Sequence, residues 1–197
     1  MPGATAPARS PTLLESVVPL LHAGFGTSLL AAAQVVTLPA QVVLSGILVA
    51  AACAALRRQG RPEAALAWAA AWGLATAIEV VCKAALVRPA LYRHGVHLVA
   101  LDSSWPSGHA VRGAITAAAL AAAWPRLRLP LALWVVAVAV LLETAGFHTP
   151  SDVLGGLLLA ALSALGATSA ERSGALRPRA ARARAARAAA GGAPRRR

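Results

Sequence analysis

Five times along this chain, a predominantly apolar run of about twenty residues ends at a charge, a proline or a glycine. The runs lie at roughly 37–56, 63–84, 107–124, 129–147 and 152–170. A helix needs on the order of 20 residues to cross about 30 Å of hydrocarbon, so each run has the length of a transmembrane helix. Composition agrees: 58% of the 197 residues are hydrophobic and 13% are charged, too apolar a balance for the surface of a soluble domain. The expected fold is all-α, a polytopic membrane helical bundle of five to six transmembrane helices. The sixth is left open. Residues 13–36 are apolar but interrupted by Glu15, Pro19, Gly24 and Gly26, so 1–36 reads either as an interfacial helix or as a further span. That segment lacks a basic n-region and a small-x-small cleavage site, and no cleaved signal peptide is expected.

A formal net charge of +12 would ordinarily raise nucleic acid as a partner. Here the basic residues are almost all arginine and stand in short stretches between apolar runs, which is a topology signal, and no nucleic-acid partner is expected. Arg57, Arg58 and Arg61 follow the first run, Arg126 and Arg128 the third, and nine arginines from Arg172 to Arg197 the fifth. Three such segments alternate so as to share one face of the bilayer, and by the excess of Lys and Arg in cytoplasmic loops that face is cytoplasmic. Loops 85–106 and 147–152 then lie outside. Residues 171–197, rich in Ala, Arg, Gly and Pro, read as a disordered cytoplasmic tail. Cys53 and Cys82 fall within apolar runs, where a thiol acts as a small hydrophobe.

Ionisable groups at membrane depth are costly, and each is a functional candidate. Lys83 ends the second run; Arg88 and Arg93 follow it; His109 and Arg112 open the third; Glu143 and His148 close the fourth; Asp152 opens the fifth. In the topology above all of them fall at the outer helix ends. Two pieces are specific. Trp105-Pro106-Ser107-Gly108-His109 starts a helix, where free N–H groups and the dipole attract an anion; Gly108 admits a phosphate close to the main chain and Ser107 caps the helix or donates to an oxygen. His148-Thr149-Pro150-Ser151-Asp152 sets an imidazole and a carboxylate four residues apart, an arrangement that orients the ring and leaves its other nitrogen nucleophilic.

At these residues the sequence resembles the type 2 phosphatidic acid phosphatase family. That family's three motifs are Lys, six residues, Arg-Pro; Pro-Ser-Gly-His; and Ser-Arg, five residues, His, three residues, Asp. The order and spacing fit over roughly 37–170, the expected catalytic domain. The resemblance implies a metal-independent phosphatase without a cofactor, in which His148 attacks phosphorus, Asp152 orients it and His109 protonates the leaving oxygen. Lys83, Ser107 and the Gly108 backbone would hold the phosphoryl oxygens. The implied substrate is a lipid phosphate entering from the bilayer: phosphatidic acid, phosphatidylglycerophosphate, or a polyprenyl phosphate or diphosphate. The Ala/Arg-rich composition suits a GC-rich bacterial genome, and hence an inner (plasma) membrane with the site on the periplasmic or extracellular face.

The sequence departs from the family at both arginines. Ala90 and Leu91 stand where Arg-Pro is usual, with Arg88-Pro89 two positions earlier, and Leu141 and Leu142 stand where Ser-Arg is usual. Arg112, three residues after His109 on the same helix face, is the expected replacement, with Arg88 as the second candidate and Glu143 as a carboxylate to position either guanidinium. Structural readings stand beside these. Pro-Ser-Gly also makes a turn and cap, Asp152 also suits a helix start, Lys83 has Glu79 four residues back as an ion-pair partner, and Arg112 can snorkel to the interface. His94 and His97 read as solvated loop residues, and Trp105 and Trp124 as interfacial residues bracketing the third run. The rival functions are a phosphotransferase with a lipid or sugar hydroxyl as acceptor, and a non-catalytic lipid-binding relative.

Overall fold

The computed structural model describes residues 31–86, 105–145 and 147–173, and all its regular structure is helical. A bent leading segment, α1 (Ala31–Ala40), runs into α2 (Val42–Arg58); α3 (Pro62–Ala85), α4 (Gly108–Ala123), α5 (Arg128–Thr144) and α6 (Pro150–Arg172) follow. Local chemistry sets the ends. Proline opens α3 and α6, where a missing N–H costs nothing, and Lys83 and Arg172 lie in the last turns of those two helices, where a cation meets free carbonyls. Ser107 caps α4 by accepting from the Ala110 N–H, and a short 3-10 turn, Pro125–Leu127, leads into α5.

Lipid-facing and protein-facing sides are distinguished by side-chain size. Small residues fill the helix interfaces: Ala52 of α2, Ala71 and Ala75 of α3, Ala119 and Ala123 of α4, and Ala160 and Ala167 of α6 are all buried. Between helices in lipid, close packing of this kind supplies the attraction that the hydrophobic effect supplies in water. Leu154, Leu158, Leu162 and Leu165 form an exposed stripe along α6, and Leu129, Leu133, Val136 and Val140 another along α5. These are the surfaces for acyl chains.

The all-α expectation holds, but the number of spans is corrected. Among the described residues three helices are long and apolar enough to cross a membrane, Pro62–Ala85, Pro125–Thr144 and Pro150–Arg172; the pair Ala31–Ala40 and Val42–Arg58, bent by 46°, makes a fourth if taken as one span. Five to six spans are not found among the described residues. The apolar run at 107–124 forms α4, which has only 16 residues, about 24 Å of helix against a hydrocarbon layer of about 30 Å. Its apolarity has another cause. It is the central helix, packed against α2, α3, α5 and α6, and its buried residues come from every side. A helix enclosed by protein and one enclosed by lipid read alike in sequence. The first run, 37–56, is divided by the bend, where Pro39 has no N–H to continue the ladder. The question of a span within 13–30 lies outside the described residues.

The carbonyls freed at that bend find partners on other helices: Val36 O accepts from Trp134 Nε1 at 2.9 Å, and Ala40 O accepts from Arg112 Nε at 3.1 Å. The opposite end of the bundle is tied by Arg61, whose guanidinium donates to Glu171 of α6 and to the Ala122 carbonyl of α4, and by Gln59, which donates to the Ala123 carbonyl. Although short, α4 therefore reaches from one polar end of the bundle to the other.

Candidate active site

The end of the bundle away from Arg61 gathers the close of α3, the starts of α4 and α6, and the bend of α1. Ser107 and Asp152 bring two helix starts into register, since the Ser107 N–H donates to the Asp152 carbonyl at 3.0 Å. Gly156 allows this approach: a Cβ there would lie 2.7 Å from the Ser107 carbonyl oxygen and 2.9 Å from the Ala110 Cβ. Both N-termini thus open on one region, with their dipoles adding there.

At the start of α6 the structural and chemical readings of Asp152 coexist. Thr149 caps the helix and Asp152 returns the favour, its Oδ2 accepting from the Thr149 N–H at 3.0 Å, which is a capping box. The same Oδ2 lies 3.8 Å from His148 Nδ1. That is ion-pair range and longer than a hydrogen bond. Asp152 is fully buried and held by the backbone, so it faces the ring from a fixed point. Nδ1 of His148 is the nitrogen on the carboxylate side.

At the start of α4, His109 is partly buried and precedes Arg112 by three residues on the same helix. Ser107 is fully buried, its hydroxyl turned to the α4 backbone as a cap. Lys83 Nζ bonds Glu79 Oε1 at 2.8 Å, so the helix-face pair expected from sequence is formed. Arg112 does not snorkel. It is buried, donates from Nη1 to Glu79 Oε2 and from Nε to the Ala40 carbonyl. One carboxylate therefore bridges two cations from different helices. It stands directly over Gly108: a Cβ on that residue would come 2.1 Å from Glu79 Oε1 and 2.6 Å from Arg112 Nη2.

Lys83, Ser107, Gly108, His109, Arg112, His148 and Asp152 are thus brought to one end, while Arg88, with Arg93, His94 and His97, lies outside the described residues. Among the described residues no group of three or more His, Cys, Asp or Glu side chains is arranged to hold a metal ion. Two features were missed in sequence. The carboxylate that holds Arg112 is Glu79, not Glu143, and a main-chain carbonyl from the bend holds the other side of the guanidinium. Glu79 carried a signal, being a carboxylate inside an apolar run on the helix face of Lys83; the Ala40 carbonyl carried none. Leu142 is 3% exposed and packs in an apolar cluster with Ala110, Val138 and Val153.

Neither the curated proteins nor the solved structures compared with this chain gave a match. The PAP2 superfamily model matches residues 70–172. That stretch exceeds half of the chain and runs from the middle of α3 to the last residue of α6, taking in every side chain gathered at this end of the bundle. On that match, carried by the elements that build the site, the chain belongs to the PAP2 superfamily.

Proposed function

We propose that the protein is an integral membrane lipid phosphatase that hydrolyses a phosphate monoester or diphosphate through a phosphohistidine, without a metal. The observation that carries this reading is the gathering at one end of the bundle of two imidazoles, a carboxylate and two cations: His148 Nδ1 faces Asp152 Oδ2 at 3.8 Å, and His109 opens the helix whose Arg112 meets Lys83 across Glu79. With Nδ1 turned to Asp152, the Nε2 lone pair of His148 attacks phosphorus. The P–O bond to the leaving group, the lipid alcohol of a monoester or the lipid phosphate of a diphosphate, breaks as the N–P bond forms, and the departing oxygen takes its proton from His109. A water molecule then gives a proton back to His109 and attacks phosphorus, the N–P bond breaks, and inorganic phosphate leaves. The phosphoryl oxygens, whose charge grows in the transition state, would meet the N–H groups of α4, Lys83 and Arg112.

Substrate class follows from location. The site lies at a helix end of the bundle, with the exposed Leu154 and Leu158 on α6 below it, which suits an amphiphile whose phosphate lies at the interface and whose chains stay in the bilayer. The arginines of the opposite end favour a cytoplasmic position for that end and an outer-leaflet position for the site, with polyprenyl phosphates or diphosphates, phosphatidic acid and phosphatidylglycerophosphate as the substrates to compare. The test is phosphate release by purified protein in detergent with EDTA present, across a panel of these lipids. Release from at least one lipid, unaffected by EDTA, is expected. Failure on all of them rules out hydrolysis; consumption of the lipid phosphate only with an added alcohol, the phosphoryl group appearing on that alcohol and not as inorganic phosphate, identifies a phosphotransferase.

A further inference from the structure

No step of the phosphoryl transfer requires Glu79, yet its carboxylate is 2% exposed and sits at the centre of the site. A structural ion pair needs one cation. Glu79 has two, Lys83 from its own helix and Arg112 from α4, and it holds them on different oxygens. Arg112 is fixed a second time by the Ala40 carbonyl, so Nε and Nη1 are both engaged and Nη2 is left on the Gly108 side, toward the start of α4. The missing side chain of Gly108 is what makes room for this carboxylate and guanidinium. No cation can come from position 142, which is an apolar packing position.

We propose that Glu79 is a positioning residue that clamps Arg112 and Lys83 side by side at the start of α4, installing a guanidinium from α4 in place of the one that Leu142 does not supply. The proposal rests on the phosphatase reading above. It has a second consequence. Two cations and one carboxylate leave the cluster a net charge of +1, so Glu79 also weakens the attraction for inorganic phosphate after the reaction. Orientation and net charge act in opposite directions on the two steps: removing the carboxylate loosens the cations that meet the transition state while strengthening the field that holds a ground-state anion.

The experiment compares full-length wild type, Glu79→Gln, Lys83→Gln, Arg112→Gln and the Glu79→Gln/Arg112→Gln double variant, measuring turnover on a lipid phosphate and inhibition by inorganic phosphate per mole of folded protein. Glu79→Gln is expected to lower turnover by roughly 30-fold and to tighten phosphate inhibition by roughly tenfold. A merely structural role would lower the yield of folded protein and move neither quantity. Unchanged or weaker phosphate inhibition in folded Glu79→Gln overturns the proposal. If the single variant fails to fold because two buried cations lack a counter-charge, the double variant, in which a neutral pair replaces a charged one, decides. Turnover equal to that of Arg112→Gln alone, or lower by no more than Lys83→Gln costs by itself, supports action through the clamped cations; a larger further loss overturns it. Wild type that releases no phosphate from any lipid in the panel brings down the phosphatase reading and this proposal together. An active wild type beside a Glu79→Gln variant indistinguishable from it brings down the role of Glu79 alone.

Discussion

Each end of the bundle is tied by an arginine and a glutamate from different parts of the chain, and the two pairs behave as different objects. Arg61 and Glu171 meet at 2.6 Å with side chains 38% and 28% exposed; those of Arg112 and Glu79 are 9% and 3% exposed. Water and salt screen the first pair, and either partner can be lost to solvent at little cost. The second pair has no such refuge. Its charges are retained only because each is bonded on several sides, Glu79 by two cations and Arg112 by a carboxylate and a carbonyl. Where a chain holds charge away from solvent at this cost, a use for that charge is the expected reason.

The comparison breaks first at His148. His148→Ala is expected to remove all measurable phosphate release while leaving the thermal midpoint nearly unchanged. Asp152→Asn should leave a small residue of activity and lower stability by about 1 kcal/mol, because the same side chain belongs to the capping box of α6. A stable His148→Ala protein with ordinary turnover would remove the nucleophile from this end of the molecule altogether.

His109→Ala should cost roughly a thousandfold on an alkyl phosphate and far less on an aryl phosphate, whose leaving oxygen needs no acid. Equal losses on the two substrates would deny His109 that task.

Arg112→Ala comes next, with turnover lower by roughly two orders of magnitude and a smaller change in apparent affinity, since the charge is used mainly in the transition state. Arg112→Lys should recover only part of this, because one ammonium cannot hold both Glu79 and Ala40 while facing an anion. Near-normal turnover in folded Arg112→Ala, beside a loss in Arg88→Ala, would assign the role to Arg88.

Gly108→Ala sharpens the same point by volume alone. The added methyl must displace the Glu79 carboxylate and Arg112, and an overpacking cost of about 1–3 kcal/mol in unfolding experiments is expected, with turnover reduced roughly tenfold. Normal activity in this variant would mean that the bridge over Gly108 can rearrange freely. At the far end, Arg61→Ala should lower stability by about 1 kcal/mol or less and leave turnover intact. A large loss of activity there would erase the distinction between the two ends.

Helical character, the approximate limits of α3, α5 and α6, and the identity of most residues at the site end were legible in the sequence. They depend on local rules: apolar runs between breakers, caps, the spacing of Lys83 from Glu79 along one helix, and that of His148 from Asp152 across the N-cap of another. A residue four positions away on a helix is a neighbour whatever the rest of the fold does. The motif order could likewise be read without coordinates, because it is a property of the chain.

What only the tertiary structure decided are the matters that depend on what surrounds a helix. Whether 107–124 faces lipid or protein is invisible in its composition, and it proved to be a short central helix rather than a span. Which carboxylate holds Arg112 depended on the placement of α3 against α4, across 33 residues of sequence, and selected Glu79 over Glu143. The Ala40 carbonyl became an acceptor only because a bend in another helix freed it there. Sequence determines which groups need a partner; the packing of helices, through distances that no local spacing encodes, determines which partner they meet.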